Sequence, residues 1–481
     1  MSGARALAPV PARDGAVLAA ELGALLADPA RATAGESIRR LHSEDITYHL
    51  PVLPDAVVFP VDAGEVSAVL RYANERRIPV TPFGAGTSLE GHVIPLQGGI
   101  SLDLTRLDRI VELRPADLIA VVEPGVVRSA LNARAREHGL QFPVDPGADC
   151  TLGGMAATNA SGTTAVRYGA MRPNVLGLEV VLADGSIVRT GGLATKSSAG
   201  YGLTGLFVGS EGTLGVITRI VLRLHGIPEH EVAVRAVFPS EEAACRVAAA
   251  LVAAGAGVQR SELVDAHTVH AVNSAKGTTY SEAPTLFLEL AGSRAAAEAD
   301  LEFAHEVAEG EGLVSWDVER DAEQRNRLWE VRHEAALCVA HLRPGSKLKG
   351  TDVCVPLSEI AGAVKMAREV ATARGLFAAL MGHVGDGNYH LVMCLDPDDP
   401  ADVANAEAAN EEIVRYALAR GGTCTGEHGV GLGKIAHLAE EHATALPVMR
   451  GIKGVLDPNG IMNPGKVLAP VSAPAVPASS G

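Results

Sequence analysis

The sequence predicts an α+β protein of two domains, on three observations. The chain has 481 residues, 47% hydrophobic and 20% charged, which is enough for two domains that each bury a core. Residues 51–227 contain short apolar runs separated by glycines. From residue 228 the order of apolar runs fits an antiparallel sheet covered by helices. We expect a helical leader at 1–50, domains at 51–227 and 228–468, and a disordered tail at 469–481.

The first domain is predicted to alternate short strands with helices. Residues 54–86 indicate a strand, a helix and a strand that ends in a glycine loop. Residues 119–139 indicate a strand and a helix that ends at Gly139. Two apolar runs around Ala-Asp-Gly-Ser in 178–190 indicate a hairpin, and the alternating run VITRIVLRL closes the domain. Ahead of it, the Ala-rich residues 14–48 indicate helix.

In the second domain, two strands are predicted to follow each other between helices, which breaks a strict strand–helix alternation. We predict strands at 232–239, 258–265, 285–292, 351–357, 378–383 and 389–395. We predict helices at 241–255, 295–310, 321–342, 358–375, 401–420 and 435–456. The order fits a split strand–helix–strand unit in a mainly antiparallel sheet.

Composition excludes several classes of function. The net charge of −16 and the lack of a basic run argue against binding to nucleic acid or to an anionic membrane. Six scattered cysteines without a CxxC pair indicate reduced thiols. The first residues lack a continuous apolar core and carry acidic groups, unlike a signal or transit peptide, and no stretch of about 18 apolar residues is present. We expect a cytoplasmic protein, at most peripheral at a membrane.

Glycine-rich segments are the main sign of a ligand. PFGAGTSLEG (82–91) fails the Rossmann pattern because Leu89 stands where the third glycine belongs, and GVGLGK (429–434) fails the P-loop pattern because its first glycine is replaced by His428. Three more such segments occur at 146–162, 166–171 and 209–218. A single one is usually a plain turn. The four segments of the first domain, 82–91 and these three, together indicate an extended cofactor laid across backbone loops, since glycine lets the backbone approach a bound group.

These segments, together with TDVCVP, GHVGDGNYH, TGEHGVGLGK and NPGK, resemble a known family over residues 45–468. The resemblance is to the vanillyl-alcohol oxidase (PCMH-type) FAD-binding superfamily, and within it to the D-lactate dehydrogenase (cytochrome) and glycolate oxidase D-subunit family. It implies a PCMH-type FAD-binding domain and an antiparallel-sheet substrate or cap domain, with the C-terminus returning to the flavin.

The resemblance also implies which residues surround FAD. They are Pro82, Gly84, Ala85, Gly86, Thr87, Ser88, Gly91, Pro146, Asp149, Thr151, Gly153, Gly154, Asn159, Gly162, Tyr168, Glu211, Gly212, Gly215, Val216, Ile217 and Asn463. Relatives with covalently bound flavin carry a histidine at about the position of Thr87, so we expect non-covalent FAD. His92 lies past that loop, and we interpret it as a surface histidine.

Two histidines seven positions apart, His383 and His390, raise the question of what joins them. Seven residues on a helix span roughly 10 Å, which is too far to share one ligand. The Asp-Gly-Asn between them instead indicates a hairpin that brings both to one end of paired strands. With Glu427 they form a common ligand set for Zn²⁺, Mn²⁺ or Fe²⁺. The plain alternative for any one histidine is a solvated or hydrogen-bonded side chain.

In the resembling family, the residues that match His383, His390 and Glu427 bind a divalent metal, and the one that matches His428 is the general base. Asp386 and Asn388 either shape the turn or hydrogen-bond to the ligands. The resemblance places Arg332 at the substrate carboxylate, which a guanidinium can bind through two hydrogen bonds; the alternative is a surface salt bridge. Lys347 and Lys349 both stand where the family places a substrate lysine, and the choice stays open.

The resemblance thus implies an FAD-dependent D-2-hydroxy-acid dehydrogenase, with D-lactate as the expected substrate and pyruvate as product. Glycolate and D-2-hydroxyglutarate are the alternatives, and Val392, where the latter enzymes tend to have Asn, favours a small apolar substrate. The nearby residues either line the pocket or, as we expect, pack the strands: Leu380, Met381, Met393 and Cys394.

Two further alternatives belong to other classes of function. The chain could be the flavoprotein subunit of a glycolate oxidase assembly, or a metal-binding protein without flavin. The electron acceptor is expected to be a cytochrome, a quinone or an electron-transfer flavoprotein, and a homodimer is a further expectation.

Overall fold

The computed structural model describes residues 13–47 and 49–469, so the first twelve residues and the expected tail, apart from Ala469, lie outside the described residues. The strands are β1 Ala32–Thr33, β2 Ala56–Val58, β3 Val80–Phe83, β4 Ile100–Asp103, β5 Ile110–Arg114, β6 Ile119–Val122, β7 Leu140–Gln141, β8 Val175–Val181, β9 Ile187–Gly191, β10 Val216–Arg223, β11 His225–Gly226, β12 His230–Val237, β13 Val258–Val264, β14 Thr285–Gly292, β15 Ser315–Glu319, β16 Lys347–Gly350, β17 Val353–Cys354, β18 Ala378–Gly382 and β19 Asn388–Leu395.

The helices connect these strands and cover their sheets. They are α1 Gly15–Gly23, α2 Glu36–Leu41, α3 Ala63–Arg76, α4 Arg128–Arg136, α5 Leu152–Thr158, α6 Ala165–Tyr168, α7 Met171–Asn174, α8 Leu203–Phe207, α9 Glu241–Ala253, α10 Ala266–Lys276, α11 Arg294–Gly310, α12 Ala322–His333, α13 Ala335–His341, α14 Ile360–Ala373, α15 Pro400–Ala419, α16 Ile435–Glu441 and α17 Leu446–Leu456. Among the described residues no helix has both the length and the apolar character needed to cross a bilayer.

The N-terminal part is built on two sheets. The first has the order β1-β2-β4-β3, in which β2, β4 and β3 run parallel. Helix α3 begins at its N-cap Asp62, whose carboxylate accepts the N–H of Glu65, and ends with Arg77 in the left-handed region. The second sheet has the antiparallel order β5-β6-β10-β8-β9. The predicted hairpin of residues 178–190 is confirmed as the β8–β9 pair.

The C-terminal part is one large antiparallel sheet with the order β15-β12-β14-β13-β18-β19-β16, to which β17 adds by pairing with β19. One face packs against α9, α11, α14 and α15, and the other against α10, α12 and α13. Successive side chains of a strand point to opposite faces, so Leu380 lies in the first core and Met381 in the second. The expected α+β class with a helix-covered antiparallel sheet is confirmed.

The end of the chain returns to the N-terminal part. Met462 bridges to Val80 of β3, and the N–H of Asn463 donates to the carbonyl of Val80 at 2.8 Å. Ile461 and Met462 are buried in the core of the first sheet. Residues far apart in sequence therefore lie next to each other at β3. The division into domains at 227/228 stays a prediction.

Several predicted elements differ from the structure. The leader 14–48 is not one helix, because Asp28-Pro29 and Gly35 interrupt it and separate α1 from α2. The predicted strand 351–357 shrinks to β17, and the predicted helix 435–456 is two helices, the second with Pro447 in its first turn.

The prediction missed helix α10, which lies between β13 and β14. Its N-cap Asp265 accepts the N–H of Thr268, and Gly277 ends it in the left-handed region. Both signals were readable in the sequence. The two strands therefore do not follow each other directly, although they still pair antiparallel in the sheet.

Candidate active site

A cavity of about 640 Å³ lies between the glycine loops of the N-terminal part and the large sheet. This volume is within the range of cofactor and substrate pockets. Most of the residues expected at FAD line it: Pro82, Gly84, Ala85, Gly86, Thr87, Ser88, Pro146, Thr151, Gly153, Gly154, Gly162, Glu211, Gly212, Gly215, Val216, Ile217 and Asn463. Their contacts to FAD stay a prediction.

At its glycine positions the wall of this cavity is formed by backbone rather than by side chains. A Cβ added at Gly84 would lie 2.6 Å from Oγ1 of Thr151, and Gly86 has a φ of +68° that L side chains rarely adopt. This part of the wall is therefore a backbone cradle, which suits a long polar cofactor held by main-chain N–H groups. The residues present fit FAD.

The structure places four of the expected FAD residues outside the cavity wall. The N–H of Gly91 donates to Asp45, and Asp149 accepts from Ser129. The other two, Asn159 and Tyr168, have their side chains near Arg172 and Gln259, respectively. For these four residues too, contact with FAD stays a prediction.

The interpretation of His92 as a surface histidine is wrong. Its side chain is buried and lines the cavity, with Nε2 3.1 Å from the carboxylate of Glu211. Asn463 and Lys466 both donate to the carbonyl of His92. The residue is covered because the chain end and the loop of His428 both fold over it, which no local pattern indicates.

The hairpin of β18 and β19 brings His383 and His390 together. Strands β18 and β19 pair antiparallel, with Met381 opposite His390, and His383 stands just beyond β18. The two imidazole centroids are 5.7 Å apart. Nε2 of His383 is 3.2 Å and Nε2 of His390 is 3.3 Å from the same oxygen, Oε1 of Glu427. The three residues expected to bind a metal therefore converge.

The other ring nitrogens explain why both Nε2 atoms face Glu427. Nδ1 of His390 lies 2.9 Å from the carbonyl of Thr351, which can only accept, so Nδ1 carries the proton. Nδ1 of His383 lies 2.7 Å from Oε1 of Glu262. Each imidazole thus directs Nε2, the atom through which it would bind a metal, at the centre of the site. The donor set fits a divalent cation such as Zn²⁺, Mn²⁺ or Fe²⁺.

A different set, Asp352, His390, Glu427 and His428, also has its ligand atoms within 4.8 Å of one another. The contacts of Asp352 argue against it. Its carboxylate already accepts from the N–H of His428 at 2.8 Å and from Nζ of Lys434 at 3.0 Å. Burial opposes ionisation, yet His428 and Lys434 hold the pKa of Asp352 below its ordinary value. We therefore assign Asp352 to the support of the loop.

The loop that carries Glu427 and His428 is fastened from two sides. On one side, Asp352, just before β17, accepts the backbone N–H groups of both residues. Glu211, from the N-terminal part, accepts the N–H groups of Val430 at 2.7 Å and Gly431 at 2.8 Å. Asn388 donates to Asp352 in a 3.1 Å hydrogen bond and so supports the loop of Glu427 as well as the turn.

His428 lies against His390, one of the two histidines expected to bind a metal. Its ring stacks on His390 with the planes 3° apart and the centroids 5.0 Å apart. Burial lowers the pKa of His428 to about 4, against the opposing effect of Asp352. The imidazole is therefore neutral at physiological pH and can accept a proton, which is the property a general base needs.

Arg332 and Glu262 form a buried pair beside the histidines. Arg332, on α12, is 7% exposed and lines the cavity, so the surface salt bridge considered from the sequence is excluded. Its Nη2 donates to Oε2 of Glu262 at 2.5 Å, while Oε1 receives His383. Burial lowers the pKa of His383, but Glu262 and Glu427 outweigh it and hold that pKa well above its ordinary value.

The structure separates the two candidate lysines. Lys349 is 8% exposed and lines the cavity, whereas Lys347 is exposed. Near them, Met381 and Val392 also face the cavity, so the expectation that Met381 only packs the strands is corrected. The other three of that group, Leu380, Met393 and Cys394, are buried in the cores on either side of the sheet.

Comparison with known proteins agrees with this arrangement. Residues 54–191 match the FAD binding domain model, and residues 227–467 match the model "FAD linked oxidases, C-terminal domain". The chain is 46% identical over 438 residues to a probable mitochondrial D-lactate dehydrogenase of Danio rerio, covering 90% of this chain and 88% of that one. It is 42% identical over 426 residues to the mitochondrial D-lactate dehydrogenase [cytochrome] of Arabidopsis thaliana, covering 88% and 75%.

A third relative, glycolate oxidase subunit GlcD of Bacillus subtilis, is 35% identical over 436 residues and covers 90% of this chain and 92% of its own. Among solved structures, p-cresol methylhydroxylase with substrate bound has a TM-score of 0.79 at 19% identity, covering 95% of this chain and 98% of that chain. The likeness shows a shared PCMH-type fold. Because some relatives are named as mitochondrial, the cytoplasmic location stays a prediction.

Proposed function

The chain belongs to the family of FAD-linked oxidases, and from that premise we propose that it oxidises D-lactate to pyruvate with FAD. The observation that carries the proposal is the convergence of Arg332, the His383–His390–Glu427 set and His428 on one cavity walled by glycine loops. Oxidation of a 2-hydroxy acid uses three kinds of group: a cation that binds the carboxylate, a group that polarises the hydroxyl, and a base that accepts the hydroxyl proton.

Arg332 and Lys349 are the groups we assign to the carboxylate. Arg332 uses Nη2 for Glu262, so its position is fixed before substrate arrives. A guanidinium fixes the orientation of a carboxylate as well as binding it. Lys349 adds a second positive charge to the same cavity in a protein that is acidic as a whole. Together they attract and orient the substrate anion.

The hydroxyl end of the substrate is assigned to the other two groups. A divalent ion held by His383, His390 and Glu427 would supply a Lewis acid that lowers the pKa of the 2-hydroxyl. Nε2 of His428, which lies 4.0 Å from Oε1 of Glu427, accepts the hydroxyl proton. Bound FAD would supply the acceptor for the hydride of C2. Thr87 rather than histidine in the first glycine loop supports non-covalent FAD.

The apolar side chains at the cavity support a small apolar substituent on C2. Val392, Met381 and Leu348 line the cavity beside the histidines. A second carboxylate placed against such a wall would lose hydration without gaining a partner there. D-lactate is therefore preferred over D-2-hydroxyglutarate. Glycolate is the second candidate, supported by the 35% identity to glycolate oxidase subunit GlcD, and it would make this chain a subunit of a larger assembly.

The electron acceptor is proposed from the relatives. The two-electron reduced flavin must be reoxidised, and several relatives are named as cytochrome-type D-lactate dehydrogenases. We propose a cytochrome, with a quinone and an electron-transfer flavoprotein as alternatives.

The test is anaerobic mixing of the purified, metal-supplied protein with D-lactate, L-lactate, glycolate and D-2-hydroxyglutarate, while the absorbance of oxidised flavin is followed. Bleaching by D-lactate alone is expected. If only another acid bleaches the flavin, that acid replaces D-lactate as the proposed substrate. No bleaching by any acid in a yellow protein would support the subunit alternative, and a protein purified colourless after supply of FAD would contradict the proposal.

A further inference from the structure

Glu262 is a buried carboxylate that sequence matching did not single out. It lies on β13, between β14 and β18, and its side chain has no solvent exposure. Oε2 accepts from Nη2 of Arg332 at 2.5 Å, and Oε1 lies 2.7 Å from Nδ1 of His383. One carboxylate therefore contacts Arg332, the proposed substrate clamp, with one oxygen and His383, a proposed metal ligand, with the other.

Stability of the fold does not explain this carboxylate. Moving a charge out of water costs several kcal/mol, and a buried ion pair is often no more stable than apolar residues of similar volume. The neighbouring positions of the sheet show that apolar side chains pack there, as Leu263 and Val264 do. A buried carboxylate at this position is better explained by what it orients.

We propose that Glu262 is a positioning residue that couples the substrate clamp to the metal site. The inference rests on the proposed function. By accepting Nδ1–H of His383, Glu262 fixes the ring with Nε2 directed at Glu427. By accepting Nη2–H of Arg332, it fixes the plane of the guanidinium. The two binding groups for opposite ends of one hydroxy acid are thereby held at a fixed separation.

The chemistry of the side chain predicts how substitutions act. A glutamine at this position keeps the size but offers one acceptor oxygen and one donor –NH₂, so it can accept from His383 or from Arg332 but not from both. An aspartate keeps the charge but is one methylene shorter and cannot reach both partners. Each variant therefore has to release one of the two groups.

Glu289 provides a matched control on the adjacent strand β14. Its side chain is 2% exposed, it lies 3.1 Å from Nη1 of Arg260, and it accepts Nε1–H of Trp329 at 2.7 Å. It is thus a buried carboxylate paired with an arginine on the same sheet, but it contacts Arg260, Gln259 and Trp329 rather than the substrate arginine or the metal-site histidine. Glu289→Gln should reproduce any general cost of removing a buried charge.

The experiment compares wild type, Glu262→Gln, Glu262→Asp and Glu289→Gln as FAD-loaded proteins. Affinity for Zn²⁺ and Mn²⁺ is measured by competition with a chelator, the apparent Kd of D-lactate by flavin reduction at saturating metal, and FAD content by absorbance. For both Glu262 variants we expect metal affinity to fall about 10- to 100-fold, the apparent Kd of D-lactate to rise, and FAD content to stay unchanged. Glu289→Gln should match wild type in all three readouts.

Three results would overturn the inference. They are wild-type metal affinity and substrate Kd in the Glu262 variants, equal losses in Glu289→Gln, and the absence of metal binding by the wild type. The aspartate variant keeps the test open if the glutamine variant does not fold. Failure of the wild type to react with D-lactate would contradict the proposed function, whereas the metal affinities test the contact with His383 without any substrate.

Discussion

At the scale of single residues, two lysines show how position along a strand decides a role. Lys347 and Lys349 lie two residues apart on the edge strand β16, so their side chains point to the same face. Lys347 pairs with Leu395 at the outer end of the strand and is exposed, while Lys349, roughly 7 Å nearer the histidines, is buried at the cavity.

Replacement of Lys349 should therefore weaken binding of the substrate anion. For Lys349→Met we expect the apparent Kd of D-lactate to rise about ten-fold or more, because a charged hydrogen bond contributes about 1.5–3 kcal/mol. Lys347→Met is the control and should leave it unchanged. Stopped-flow flavin reduction over a range of lactate concentrations measures both, and equal effects from the two variants would contradict the assignment.

His428 is expected to act in the chemical step alone. In His428→Ala, flavin reduction by saturating D-lactate should slow by about 10²- to 10⁴-fold, the usual contribution of a positioned base, with FAD still bound. His437→Ala, on α16 and away from the cavity wall, is the control. Reduction of the His428 variant at the wild-type rate would make the base assignment wrong.

At the scale of elements, the hairpin of β18 and β19 depends on one glycine. Gly387 has a φ of +88°, and a Cβ there would lie 2.1 Å from the carbonyl oxygen of Val355. The close approach also brings the N–H of Val355 to the carbonyl of Gly387 at 3.0 Å. The turn that sets the spacing of His383 and His390 is thus packed against Val355, just after β17.

We expect Gly387→Ala to displace this turn and reduce metal affinity by at least ten-fold. The control is Gly375→Ala, which also has a positive φ of +62° but no atom within 4 Å of the added Cβ. Gly375→Ala should lower only the free energy of unfolding, by about 1 kcal/mol, because alanine is strained in the left-handed conformation. Chelator competition and thermal unfolding separate the two effects. Wild-type metal affinity in Gly387→Ala would show that the turn tolerates a side chain.

At the scale of the whole molecule, a buried ion pair fastens the N-terminal segment to the first sheet and its helix. Arg31 and Glu65 are both below 10% exposed, and Glu65 also accepts the backbone N–H groups of Ala27 and Val61. The hydrogen bond from Arg31 lowers the pKa of Glu65 to about 2, against the opposing effect of burial. Because the folded-state pKa is depressed, the stability it contributes is present above about pH 4.5 and is lost as pH falls through 2.

For Glu65→Gln we expect the free energy of unfolding at pH 7 to fall by about 3 kcal/mol, the equivalent of the pKa shift. The difference from wild type should shrink between pH 4.5 and 2. Glu36→Gln removes an exposed i,i+4 pair with Arg40 and should change little. Urea unfolding at several pH values measures both. A difference between Glu65→Gln and wild type that does not depend on pH would contradict this account.

The sequence by itself determined the elements that local patterns control. Hydrophobic periodicity and turn residues predicted the hairpins at 178–190 and at 383–390, most helices of the second half, and the α+β class. Family-specific motifs named Arg332, His383, His390, Glu427 and His428, which the structure brings together. These features depend on residues within one short segment, so they can be read without knowing what packs against them.

Only the tertiary structure decided which side chains face the cavity and which carboxylates support it. Glu262, Asp352 and Glu211 lie in separate segments and contact the site across strands or between the two parts of the chain. Burial of His92 and the choice of Lys349 over Lys347 likewise depend on the chain end and on the register of β16 with β19. Such contacts join residues tens to hundreds of positions apart, and their energies depend on solvent exclusion that exists only once the parts have packed.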